Sequence, residues 1–124
     1  MSIFLRGIIT DDRLALVSDF YVVGAEQDAL VPVILDTGFS GMVVLPRSTR
    51  SSGQFTSSGY ASFELADGTI VREELFSGPV RIGRKRLEVV VSFTDSRVGL
   101  IGMALIEGKR ASFNLKTRQF KVFD

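Results

Sequence analysis

Cysteine, histidine and tryptophan are absent from this 124-residue chain, and proline occurs only three times. Without cysteine there is no disulfide and no thiolate, and the redox compartment stays unread. The usual zinc donors are gone as well, and so is the imidazole that takes the proton in a nucleophilic triad. Carboxylates, hydroxyls and lysine are left to carry any chemistry. A dominant charge is also missing. With 15 Lys+Arg against 14 Asp+Glu, the formal charge of +1 gives no field to hold a polyanion. Arg84-Lys85-Arg86 and Lys109-Arg110 are only local patches, so nucleic acid is not an expected partner. Long hydrophobic runs are lacking too: Ala29–Leu35 and Val98–Ile106 fall far short of the ~20 residues that cross a bilayer. The start, Met1-Ser2-Ile3-Phe4-Leu5-Arg6, lacks the basic beginning and long apolar stretch of a signal peptide, being interrupted by Arg6 and Asp11-Asp12, so export is not expected. These features predict a soluble, cytoplasmic protein with no membrane partner, folded as a single domain over residues 1–124.

The apolar pattern that is present has a period of two. Leu87, Val89, Val91 and Phe93 alternate with Glu88 and Ser92, and Ala61, Phe63 and Leu65 alternate with Ser62 and Glu64. Further strands are predicted at Ile3–Ile9, Leu14–Val23, Leu30–Leu35, Met42–Leu45, Ile70–Phe76, Val80–Ile82, Ser112–Leu115 and Gln119–Phe123, separated by polar or Gly-containing breaks. Asp67-Gly68, between two such runs, predicts a hairpin with a two-residue type I′ turn. Pro46–Ser58, rich in Ser, reads as a loop with one helical turn. Met103–Glu107, between Gly102 and Gly108, reads as a short helix. The class is all-β, a barrel or sandwich.

The segment that carries chemistry is Val31-Pro32-Val33-Ile34-Leu35-Asp36-Thr37-Gly38-Phe39-Ser40-Gly41. An apolar strand runs straight into a carboxylate and then into turn residues. Burying a lone carboxylate costs several kcal/mol unless it is hydrogen-bonded or protonated, so Asp36 needs partners, and Thr37, Ser40 and the amides near Gly38 are at hand. Taken alone, Asp-Thr-Gly also suits an ordinary turn in which the aspartate accepts from its own backbone.

In context, Asp36-Thr37-Gly38-Phe39-Ser40 resembles the active-site loop of the clan AA aspartic proteases, the group of pepsin and the retroviral proteases. Leu100-Ile101-Gly102 before Met103-Ala104-Leu105-Ile106 resembles that family's second element, and Phe39-Ser40-Gly41 with Val44-Leu45-Pro46 looks like its small prokaryotic retropepsin-like members. The likeness runs over roughly residues 14–123. It implies a closed β-barrel acid-protease lobe with one short helix near the C-terminus, and an aspartic endopeptidase activity without metal or cofactor.

The family's chemistry needs two carboxylates sharing one proton, and this chain has a single Asp-Thr-Gly. The resemblance therefore implies a homodimer with one Asp36 from each chain at a twofold axis, acting on a peptide or protein substrate. By the same resemblance Asp36, Thr37 and Gly38 are the catalytic loop, with Thr37 reaching across the axis. Ser40 supports the Asp36 carboxylate, and Gly102 lets Leu100-Ile101 pack beneath the loop. The hairpin tip Ala66-Asp67-Gly68 is a flap over the substrate, and Phe39, bulky where retroviral relatives are small, lines or narrows the groove. Phe113, Phe120 and Phe123 are expected in core and interface. The competing reading is a barrel of the same fold that binds peptide or dimerises without hydrolysis.

Overall fold

The computed structural model describes residues 2–124. Twelve strands follow one another: β1 (Ile3–Ile9), β2 (Ala15–Val17), β3 (Phe20–Val22), β4 (Ala29–Leu30), β5 (Val33–Leu35), β6 (Val43–Pro46), β7 (Thr56–Glu64), β8 (Ile70–Ile82), β9 (Lys85–Thr94), β10 (Gly99–Ile101), β11 (Arg110–Asn114) and β12 (Gln119–Phe123). The helical turn expected after Pro46 is a 3-10 turn at Arg47–Thr49, where the Thr49 hydroxyl donates to the Pro46 carbonyl at 2.7 Å.

All strands join one sheet in the order β11-β12-β1-β2-β5-β10-β6-β9-β8-β3-β4, with β7 paired to β8 off that path. The path ends at β11 and β4, which do not pair, so the expected closed barrel is corrected to an open sheet. β4 is two residues long and stops before Pro32, which has no N–H to extend a ladder.

The expected short helix is also corrected. Residues 103–108 form consecutive turns, with i→i+3 bonds from Leu105, Ile106 and Lys109. The N–H groups of Met103 and Ala104 donate instead to the carbonyls of Phe39 and Gly41, at 2.8 and 3.2 Å. A five-residue stretch between two glycines is below the length at which helix propagation outweighs nucleation, and the neighbouring loop supplies acceptors outside the helical pattern.

The hairpin tip departs from a two-residue turn. Leu65 N–H donates to Thr69 O (2.8 Å) and Gly68 N–H to Leu65 O (2.9 Å), with Gly68 at φ +86°. This is a three-residue loop, Ala66-Asp67-Gly68, with a glycine in the left-handed position. Asp67 has no positive φ, and its Oδ1 accepts from Thr69 N–H at 2.9 Å.

One core lies within the sheet, its largest fully buried side chains being Phe20, Phe120, Leu45 and Ile101. Each contributes about 1.5–3 kcal/mol by leaving water. Among the described residues no helix is long and apolar enough to cross a membrane.

Candidate active site

Asp36 is placed by two central strands. β5 is flanked by β2 and β10, which explains its apolar sequence: Val33 and Leu35 point into the core, and Ile34, half-buried, points to the other face. β10 pairs parallel with β5 (Gly99 with Val33, Ile101 with Leu35) and antiparallel with β6 (Ile101 with Val43). At the end of β5 the Asp36 N–H donates to Ile101 O at 2.9 Å, so the ladder holds this residue up to the point where the chain turns.

The turn is closed by Phe39 N–H to Asp36 O (3.1 Å), and Gly38 N–H donates to the Asp36 carboxylate at 2.9 Å. Thr37, Gly38 and Ser40 are exposed and Asp36 is half-buried. Neither the Thr37 nor the Ser40 hydroxyl bonds Asp36 within this chain; among the described residues the carboxylate's one partner is the Gly38 amide.

The second segment is knitted into the first. Gly102 N–H donates to Met42 O at 2.9 Å, ahead of the Met103 and Ala104 bonds to Phe39 and Gly41. A Cβ at Gly102 would lie 2.6 Å from Phe39 O and 2.5 Å from the Phe39 ring, and closer still to Gly41 O. Only glycine fits there. Phe39 turns its ring back onto Gly41 and Gly102.

Two open cavities flank Thr37. The larger, about 950 Å³, is lined by Asp36 and Thr37 together with Leu16, Ile34, Leu100 and Phe113 among others. Leu16, Ile34 and Leu100 sit at one register level across β2, β5 and β10, so their side chains form a row on the outer face. The smaller, about 660 Å³, is lined by Thr37, Gly38, Ser40, Met103 and Ala111. Phe39 and the hairpin tip Ala66-Asp67-Gly68 line neither. At that tip the Thr69 hydroxyl and amide hold the Asp67 carboxyl below its ordinary value.

The apolar row was missed in the sequence, though Ile34 between core-facing Val33 and Leu35 is a usable signal. Of the three aromatic residues assigned to core and interface, Phe120 is buried and Phe123 half-buried, whereas Phe113 is 45% exposed on the groove.

The arrangement is a carboxylate at the junction of two parallel strands, beside an apolar groove, on a chain whose fold is retropepsin-like. A crystal structure of a retropepsin-like aspartic protease from Rickettsia conorii matches with a TM-score of 0.60 over 95% of this chain and 89% of that one, at 14% identity. No protein-family model matches the sequence, and no curated protein matches it.

Proposed function

We propose that the protein is a homodimeric aspartic endopeptidase that cleaves extended peptide segments bearing apolar side chains. The observation that carries this reading is Asp36, held by the β5–β10 ladder at the mouth of the groove lined by Leu16, Ile34 and Leu100. Each chain supplies one Asp36, and the two share a proton and a water molecule between them. The ionised carboxylate takes a proton from the water as its oxygen attacks the scissile carbonyl carbon, while the protonated partner donates to the carbonyl oxygen. Collapse of the tetrahedral diol then breaks the C–N bond as a proton passes to the leaving nitrogen. Thr37 braces the two loops, Gly38 fixes the carboxylate through its amide, and Ser40 supports the pair once the second loop is in place. The hairpin carrying Ala66, Asp67 and Gly68 closes over the bound strand as a flap.

The test is cleavage of a diverse peptide pool by wild type and by Asp36→Asn, which keeps side-chain volume and removes the titrating group. Wild type is expected to cleave and the variant not, with both sedimenting alike. Equal turnover by the two would remove Asp36 from the chemistry. Binding without cleavage by both would instead support a peptide-binding module of the same fold.

A further inference from the structure

The outer face of the β2, β1, β12 and β11 ladders carries cations and no acid to balance them. Arg6 pairs directly with Lys121, and Lys121 pairs in turn with Ser112. On the other side of β1 the Ser18 N–H donates to Arg6 O at 2.8 Å, which continues the β1–β2 register and sets Ser18 beside Arg6. Opposed residues share a face, so one row crosses four strands: Ser112, Lys121, Arg6, Ser18. Every side chain in it can donate a hydrogen bond, and the two in the middle are charged. The next row on that face, Asn114, Gln119 and Ile8, holds no carboxylate either.

Like charges directly opposite in an antiparallel pair are destabilising, and a neighbouring carboxylate is the ordinary remedy. Among the described residues neither Arg6 nor Lys121 takes part in an ion pair: Asp11 is held by Arg118, and Asp124 by Lys85 and Lys109. Asp19 lines an adjoining cavity with Arg6 and makes no ion pair with it.

The two cations border a recess. A cavity of about 300 Å³ is lined by Arg6, Ser18, Gln119 and Lys121 among others, and it shares no residue with the two cavities beside Thr37. We propose that this recess binds a single phosphate group, carried by inorganic phosphate or by a phosphate monoester, between Arg6 and Lys121. Cβ atoms of opposed residues lie about 4.5–5.5 Å apart, so both cationic heads reach one anion. The guanidinium engages two oxygens at once and the ammonium acts as a point charge. A phosphate monoester carries about −1.5 to −2 charge at neutral pH, which matches the two cations, and its remaining oxygen is left for Ser18 or Gln119. A carboxylate would balance only one of them. The net charge of +1 draws no polyanion to the chain, and a site for one group needs no such field.

Thermal melts of wild type and of Arg6→Gln/Lys121→Gln, with and without inorganic phosphate at constant ionic strength, test the site. Without phosphate the variant should be at least as stable as wild type, because a like-charge pair has been removed. Phosphate also stabilises folded proteins by exclusion from their surfaces, and the variant's gain measures that general effect. Wild type should gain more, the excess growing with the logarithm of phosphate concentration once the site is filled. In an amide NMR titration with inorganic phosphate the Gly7, Ser18 and Lys121 signals should shift saturably while those of Thr37 and Gly38 stay in place. Arg6→Gln and Lys121→Gln should each weaken binding by about tenfold or more, and acetate should bind wild type about tenfold more weakly than phosphate. A short phosphoserine peptide separates the two sources: tighter binding than inorganic phosphate marks a protein-borne group, weaker binding a free ion. Equal stabilisation of wild type and double variant by phosphate, or amide shifts as large in the variant, would show that Arg6 and Lys121 are two solvated side chains and would overturn the site.

Discussion

Replacing Gly102 by alanine is the sharpest probe of the knit between the two loops. The new Cβ would sit 2.6 Å from Phe39 O, with the Phe39 ring and Gly41 O also inside contact distance. Two of these obstacles are backbone oxygens, which cannot swing aside as a side-chain tip does. The loops must separate by roughly 0.8–1.2 Å to reach ordinary contact. Overpacking of this kind costs about 1–3 kcal/mol. The separation also stretches the bonds from Met103 N–H to Phe39 O and from Ala104 N–H to Gly41 O, worth about 1 kcal/mol each. The sum is about 3–5 kcal/mol, a large part of the 5–15 kcal/mol that holds a typical domain. For a chain of this length about 1 kcal/mol shifts the melting temperature by about 3–5 °C, so Gly102→Ala should lower it by about 10 °C or more. Gly38→Ala is the internal control. Its Cβ meets only Asp36 Oδ1, at 3.2 Å, and its φ is not positive, so melting should change by less than about 3 °C. Thermal melts followed by circular dichroism at one chain concentration make the comparison. A Gly102→Ala protein melting within about 3 °C of wild type would show that the loops are not packed as described.

Other outcomes follow from single sites. Gly68→Val puts a β-branched residue at φ +86°, where nothing lies within 4 Å, so the strain is local to the tip. It should reduce kcat/KM for peptide cleavage far more than it reduces melting temperature, and a large melting loss with normal cleavage by the remaining folded protein would remove the flap role. Asp124 accepts from Ser2 Oγ at 2.8 Å and Lys85 Nζ at 2.9 Å, and these partners, the Lys85 bond foremost, lower its pKa from 3.8 to about 2. A depressed folded-state pKa means that the stabilisation is complete above pH 3.8 and disappears as pH falls through about 2. Urea melts of wild type and Asp124→Asn should therefore differ by a constant amount at pH 5–7 and converge toward pH 2; a gap that persists at pH 2 would contradict the assignment. Cleavage per chain should fall on dilution below the dimer dissociation constant, and activity that is linear in concentration down to nanomolar chains would require a second acid within one chain.

The outer strands were legible because one face is wet. Ile3–Ile9 alternates buried and exposed positions over most of its length and was bounded correctly, as was Gln119–Phe123. Errors arose where register or a single backbone angle decides. Leu14–Val23 reads as one strand but divides at Ser18-Asp19, with Asp19 at φ +60°, and Leu30–Leu35 divides at Pro32. Conversely, β8 runs unbroken through Gly78-Pro79, which pair in register with Val89 and Glu88 of β9, a partnership no local propensity reports. β10 was hidden: a three-residue strand of Gly99, Leu100 and Ile101 is too short to show an alternation in its residue types, and its pairing with β5 depends on distant chain. The same limit applies to the site. Asp36-Thr37-Gly38 could be picked out by residue type, whereas the row of Leu16, Ile34 and Leu100 exists only once three strands are in register.

The parallel pairing of β5 with β10 also has a kinetic meaning. The bond that fixes Asp36 comes from Ile101, so the long β7–β8 hairpin and β9 must be traversed before the carboxylate has a position. Contacts so remote in sequence carry a loop-closure cost before they return any stabilisation, and such pairings form slowly. The acid is therefore expected to reach its position late in folding. While a chain is being synthesised, or while it is partly unfolded, Asp36 sits on a turn that has not yet met the Ile101 carbonyl, and its place is set only when the second loop has packed over the first.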